Sequence, residues 1–144
     1  MMEDLSSKTT RAERCVIVLN QDLPMGNIAN AAAVLALTLG QRHPMLVGEV
    51  LADSHGQCWP GLIPIGISVL AASEEQLSAL LQQSHATEVD RILFPVDGQQ
   101  TTNYAQFLAS VANRPSSEWH LLGIALAGEK KTVRKLTAKL NLLS

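Results

Sequence analysis

Residues 15–40 read CVIVLNQDLPMGNIANAAAVLALTLG, and how this stretch divides decides the fold. With Arg14 in front, residues 14–20 (RCVIVLN) form an unbroken apolar run rich in Val and Ile. Such a run suits a central strand covered on both faces. Asp22-Leu23-Pro24 breaks it. Asn27 then stands where a helix cap is expected, and between Ile28 and Leu39 only Asn30 and Thr38 are polar. A helix with apolar residues on every side has to be buried on every side. Gly40 is expected to end it, and His43-Pro44 forbids continuation. One sheet face cannot cover such a helix, so the sequence predicts a homodimer in which a second copy covers the remainder.

Downstream, residues 45–52 (MLVGEVLA) predict a second strand, turned by Asp53-Ser54-His55-Gly56 into an irregular edge strand over 57–63, with Pro60, Gly61 and Pro64 at its end. Residues 65–71 predict a further strand. Ser73 and Gln76 have capping-box spacing before a helix to about Ser84, with Leu77, Leu80 and Leu81 inward. Residues 89–96 (VDRILFPV) read as a strand ending at Asp97-Gly98. A helix capped by Thr101 or Thr102 should bury Tyr104, Phe107, Leu108 and Val111. Residues 119–127 predict the last strand, and a final helix from Glu129 to about Leu140 should bury Val133, Leu136 and Leu140. Alternating strands and helices indicate a three-layer α/β/α domain with a mixed, mainly parallel sheet of about four to six strands.

Composition agrees with one domain. The chain has 144 residues, 47% of them apolar, within the common domain size. Residues 1–13 are polar and read as a flexible tail, leaving 14–144 as a single α/β domain. Aromatics are only 3% and net charge is −2, so neither base stacking nor general attraction to nucleic acid or anionic membrane is expected. No apolar run reaches the roughly 20 residues of a membrane span. With two cysteines and no leader pattern, the expectation is a cytoplasmic protein with reduced thiols.

Three segments carry a family resemblance: Arg14 to Asn20, Asp22 to Leu37, and the GxALxGxxKxVxKLT-like ending from Gly123 to Thr137. Together they resemble an uncharacterised bacterial family, the domain of unknown function numbered two thousand. That family is similar in fold to type II peptidyl-tRNA hydrolases. The resemblance covers residues 14–144 and implies a hydrolase-like fold. In those hydrolases the first helix opens Asp-Leu-x-Met-Gly-Lys-Gly-Lys-x-Ala-Ala-Gln. Asp22-Leu23-Pro24-Met25-Gly26 fits this pattern, but two residues are absent, Asn27 stands at the second Lys and Ala31 at the Gln. The hydrolases' Asp-Ala-Gly-x-Thr turn is echoed as Asp97-Gly98-Gln99-Gln100-Thr101.

Candidate site residues cluster at the strand–helix turn, the usual location of ligands in open α/β sheets. Asn20, Asp22, Asn27, Asn30 and Thr101 are the ligand-binding candidates, and Asp97 is the candidate catalytic base. Each has a plainer alternative as a cap or turn residue; Asn30 is hardest to dismiss, since it interrupts an apolar helix. Cys15 reads as inert core, and no residue pairs with Cys58 by motif. The four histidines have no metal-ligand spacing, and no phosphate loop, dinucleotide fingerprint or serine elbow is present. Neither a metal nor a cofactor is therefore expected. Five cations against Glu129 give residues 129–144 a charge of +4, leaving −6 on the rest of the chain. The last helix reads either as a phosphate-binding patch or, preferably, as a solvated outer face. The leading expectation is a domain binding a small polar or anionic ligand at the first strand–helix turn. The alternative is a hydrolase of an ester or amide, related to aminoacyl- or peptidyl-RNA.

Overall fold

The structure, a computed structural model, describes residues 12–144. In order the elements are β1 (Arg14–Asn20), α1 (Met25–Arg42), β2 (Leu51–Ala52), β3 (Cys58–Trp59), β4 (Ile67–Ala72), α2 (Glu74–Ser84), β5 (Asp90–Pro95), α3 (Asp97–Gln100), α4 (Tyr104–Val111), β6 (Leu121–Gly128), α5 (Lys130–Leu136) and β7 (Asn141–Leu142). Short 3-10 turns occupy Pro44–Leu46 and Ser116–Glu118. The last two residues of the expected tail, Ala12 and Glu13, lie against the domain. Ala12 is buried, and Glu13 donates its backbone N–H to the carbonyl of Gly128 at 3.0 Å. The rest of the expected tail, residues 1–11, lies outside the described residues.

Five strands form one sheet in the order β5–β6–β1–β4–β7. The apolar run of β1 explains its central place: alternate side chains go to opposite faces, and both faces are covered. Cys15, Ile17 and Leu19 join Ala31, Leu35 and Leu39 of α1 in one core. Val16 and Val18 join Leu77 and Leu80 of α2 and Val133 of α5 in the other. This is the three-layer α/β/α arrangement.

The sheet is mainly antiparallel, where a mainly parallel one is expected. Only β1 and β4 pair in parallel; β1–β6, β5–β6 and β4–β7 are antiparallel. The reason is the path between β5 and β6. Asp90 faces Ala127 and Pro95 faces Leu121, so these strands form a hairpin. Residues 96–120 are an excursion at its tip and not a crossover over a sheet face. For the same reason α4 has no buried residue: Tyr104 and Leu108 are exposed, where an inner stripe was expected. The cap is Asn103, whose Oδ1 accepts from the Gln106 N–H at 2.9 Å, not Thr101 or Thr102.

Other expectations shift at their edges. α1 begins at Met25, with Pro24 in the cap position, so Asn27 lies inside the first turn and caps nothing. Proline has its φ preset for a helix entry. At the other end Gly40 is tolerated inside the helix, which stops before Pro44. α1 is also not buried all round. Ala31, Leu35 and Leu39 are buried, whereas Val34 and Leu37 face solvent. The long strand expected over 45–52 shrinks to β2, which pairs only with β3 in a separate two-stranded ribbon. The capping box of α2 forms in both directions, Gln76 N–H to Ser73 Oγ at 3.1 Å and Ser73 N–H to Gln76 Oε1 at 2.9 Å. The final helix ends at Leu136 and leaves room for β7, which the sequence did not announce.

Candidate functional site

Leu19 of β1 and Phe94 of β5 both face Gly123 of β6. The carboxyl ends of β1 and β5 therefore share one end of the sheet, and α1 and α3 start there. Between the first turn of α1 and α3 lies a shallow, open cleft of about 370 Å³, lined by Gly26, Asn27, Asn30, Gly98 and Gln99. This volume lies at the small end of the ~300–1,000 Å³ typical of ligand sites.

Three side-chain amides meet in it. Asn27 Nδ2 donates to Gln99 Oε1 at 2.8 Å. Gln99 Nε2 donates to the Asn27 carbonyl at 3.3 Å and to Asn30 Oδ1 at 3.1 Å. Among the described residues the network leaves Asn30 Nδ2 and Asn27 Oδ1 with no protein partner, one donor and one acceptor at the cleft. The first turn of α1 adds backbone N–H groups with no side-chain cap and contains no acidic residue. Such N–H groups favour acceptor-rich or anionic partners.

The remaining candidates support this cleft but do not line it. Asn20 sits between strands: its Nδ2 donates to the Leu121 carbonyl at 3.4 Å, and its Oδ1 accepts from the Asp22 N–H at 2.9 Å. Asp22 is exposed in that turn. The Thr101 hydroxyl donates to the Asp97 carbonyl at 2.8 Å and closes α3.

Asp97 is 2% exposed. Ser110 Oγ donates to its Oδ2, and Arg114 reaches both carboxylate oxygens at 3.1 and 3.2 Å. The Ser110 hydrogen bond lowers its pKa, burial opposes this, and the Arg114 guanidinium completes a net shift below the usual carboxylate range. An ionised, enclosed carboxylate with both oxygens engaged is a poor proton acceptor. Its geometry is that of an anchor, tying α3 to the end of α4 and so holding Gln99 over the cleft.

Sequence reasoning missed Gln99, the hub of the network, as well as Ser110 and Arg114. The only signal was the pair Gln99-Gln100 in a turn where smaller residues are usual. Elsewhere Cys15 is buried, which raises its thiol pKa. No group of His, Cys, Asp and Glu able to hold a metal is found among the described residues. There too, no helix is long and apolar enough to cross a membrane.

Fold and cleft together define an α/β/α domain with a polar, amide-lined depression at the carboxyl ends of two strands. The family model described as "protein of unknown function (DUF2000)" matches residues 13–144, and the chain belongs to that family. It is similar to the solved structure of a protein of unknown function from Agrobacterium tumefaciens strain C58. The TM-score is 0.83 at 22% identity, over 91% of this chain and 97% of that one. At that identity the likeness bears on fold alone. No curated protein matches the chain.

Proposed function

We propose that this protein binds a small polar or anionic ligand in the cleft between the start of α1 and Gln99. The observation that carries the reading is the convergence of Asn27, Asn30 and Gln99 from chain positions 69 to 72 residues apart. Their unused donor and acceptor lie beside the uncapped first turn of α1. A carboxylate or phosphate group would accept from the helix N–H groups and from Asn30, and a ligand N–H or hydroxyl would donate to Asn27. Asp97, Asn20 and Thr101 set the geometry of the cleft's walls.

The reading is tested by amide NMR of the full chain titrated with inorganic phosphate, acetate and acetamide. Shifts at Gly26, Asn27, Asn30, Gly98 and Gln99 that disappear in Asn30→Leu support it. Shifts confined to the opposite end of the sheet, around Arg42 and Asp90, overturn it.

A second reading is hydrolysis of an ester or amide on a fold of the type II peptidyl-tRNA hydrolase kind. Its support is that residues 22–26 and 97–101, which echo those enzymes, contribute Gly26, Gly98 and Gln99 to one cleft. We place it second because Asp97, the carboxylate of that pair of segments, is enclosed and already paired.

A further inference from the structure

We infer that the cleft selects an uncharged carboxamide group over an anion, a refinement that rests on the ligand-binding reading above. The selection follows from how three amides orient one another. One end of the Gln99 side chain lies 3.3 Å from the backbone carbonyl of Asn27. That carbonyl can only accept, so the end facing it is the NH2 group, Nε2. The same Nε2 lies 3.1 Å from Asn30, which must therefore present Oδ1 to it. Gln99 Oε1 is then the atom that faces Asn27 at 2.8 Å, and Asn27 must present Nδ2. One backbone oxygen thus sets the orientation of all three side chains. The atoms left over are of opposite kind: Asn30 Nδ2 donates and Asn27 Oδ1 accepts.

The chain itself shows what such a pair of asparagines holds. Asn27 Nδ2 and Asn30 Oδ1 hold one carboxamide, that of Gln99, its oxygen on the donor and its NH2 group on the acceptor. The remaining atoms, Asn27 Oδ1 and Asn30 Nδ2, offer the same chemistry to a ligand. A carboxamide supplies both a donor and an acceptor, so neither atom goes unused. A carboxylate supplies acceptors alone and sets its charge against Asn27 Oδ1. An alkylammonium supplies donors alone and leaves Asn30 Nδ2 without a partner. Charge points the same way. No cation lines the cleft. Arg114 is committed to Asp97, and the turn leading into α1 carries the exposed acid Asp22. An anion would meet no charged partner here, and a neutral amide needs none. The open volume of about 370 Å³ admits a small amide or the end of a glutamine side chain.

The test is an amide NMR titration of the full chain with acetamide, acetate and N,N-dimethylacetamide. Acetate has the shape of acetamide without its donor, and dimethylacetamide keeps the carbonyl but has no N–H. Signals of Gly26, Asn27, Gly98 and Gln99 should respond to acetamide with a Kd at least about fivefold below that for either control, the weight of one hydrogen bond at a rim. Glutamine and the peptide Gly-Gln-Gly, each against its glutamate counterpart, show whether the carboxamide arrives free or on a chain. Whichever binds should favour the amide. Asn30 is exposed, so Asn30→Asp should stay folded. The variant keeps an oxygen for Gln99 but turns the free donor into an acceptor. It should bind acetamide about fivefold more weakly or worse, and should instead favour acetamidinium, which carries donors alone. Acetate binding as tightly as acetamide, a preference for the glutamate probes, or an Asn30→Asp protein that still prefers acetamide overturns the inference and leaves the cleft reading standing. No response in the cleft to any of these probes or to inorganic phosphate overturns both.

Discussion

Asn27 and Gln99 hold each other twice across 72 residues of chain: Asn27 Nδ2 reaches Gln99 Oε1 at 2.8 Å, and Gln99 Nε2 returns to the Asn27 carbonyl at 3.3 Å. This pair couples the first turn of α1 to α3, the two walls of the cleft. Substituting Gln99 by Leu should therefore uncouple the walls while leaving the core intact. The hydrogen bonds are at the rim, so the stability loss should be about 1 kcal/mol or less. Phosphate- or acetate-induced shifts at Gly26 and Asn30 should weaken at least several-fold. A Gln99→Leu protein that titrates like the native one would show that the amide network is only a structural tie.

Asp97 carries a larger share of stability. Asp97→Ala leaves Arg114 without its carboxylate and with its Nε buried and unpartnered. Removing one member of a buried pair costs ~3–5 kcal/mol, and Arg114 is partly in water, so about 3 kcal/mol is expected. Urea unfolding measures it. Ser110→Ala should cost less, about 1 kcal/mol, since Arg114 still satisfies the carboxylate. A loss under about 0.5 kcal/mol in Asp97→Ala would remove the anchor assignment.

The same carboxylates set an acid limit. Asp97 and Asp90 both have folded-state pKa values below the ordinary 3.8. For Asp90 burial pushes upward, but hydrogen bonds from Arg42 and His43 outweigh it. Between the folded and unfolded values the unfolded chain binds more protons, so stability rises with pH there. The contribution is complete above about pH 5 and is lost as pH falls through the unfolded-state and then the lower folded-state values. The melting temperature should drop steeply below about pH 4, and Asp97→Asn should shallow that slope. An unchanged slope in the variant would mean that Asp97 contributes nothing to the acid limit.

Gly61→Ala tests the ribbon of β2 and β3 from within. Its Cβ would press on the backbone oxygens of Gly48 and Glu49, at 2.1 and 2.4 Å, which cannot move aside as a side chain can. The ribbon should open while both cores persist, since they lie elsewhere. Limited proteolysis should cut within residues 47–66 faster than in the native chain, with a near-native circular dichroism spectrum. A cleavage rate equal to that of the native chain would show that the ribbon absorbs the added methyl without opening.

The parts of this fold that were legible in the sequence are those governed by local patterns. The apolar run at residues 14–20 gave β1 to the residue, and Ser73 with Gln76 gave the start of α2. The failures have a common source in tertiary geometry. Nothing in residues 96–120 states that the chain returns beside β5 and does not cross over, so neither strand direction nor the exposure of α4 can be read from local pattern. β7 is two residues held only by pairing with β4, which leaves no periodicity to read. The cleft's position followed from the strand–helix turn. Its hub did not, because the partner of Asn27 is named only by folding. Asn27 itself looked like a cap until Pro24 took that position.

This protein should not hydrolyse peptidyl-tRNA efficiently. Capture of a polyanion relies on basic groups around the cleft. The lining here is Gly26, Asn27, Asn30, Gly98 and Gln99, with no cation among them. Asn27, at the motif's second lysine position, is neutral and held by Gln99. The basic residues Lys130, Lys131 and Arg134 line a separate depression with Glu13 and Glu129. Residues 1–128 carry −6, which opposes approach of a polyanion at low salt. Asp97, the available carboxylate, is ionised but closed off by Ser110 and Arg114. Incubation of the purified chain with peptidyl-tRNA, following release of free tRNA, should give no more than background. Robust turnover that vanishes in Asn27→Leu, a rim substitution that spares the Asp97 anchor, would move catalysis into this cleft and put the hydrolase reading first.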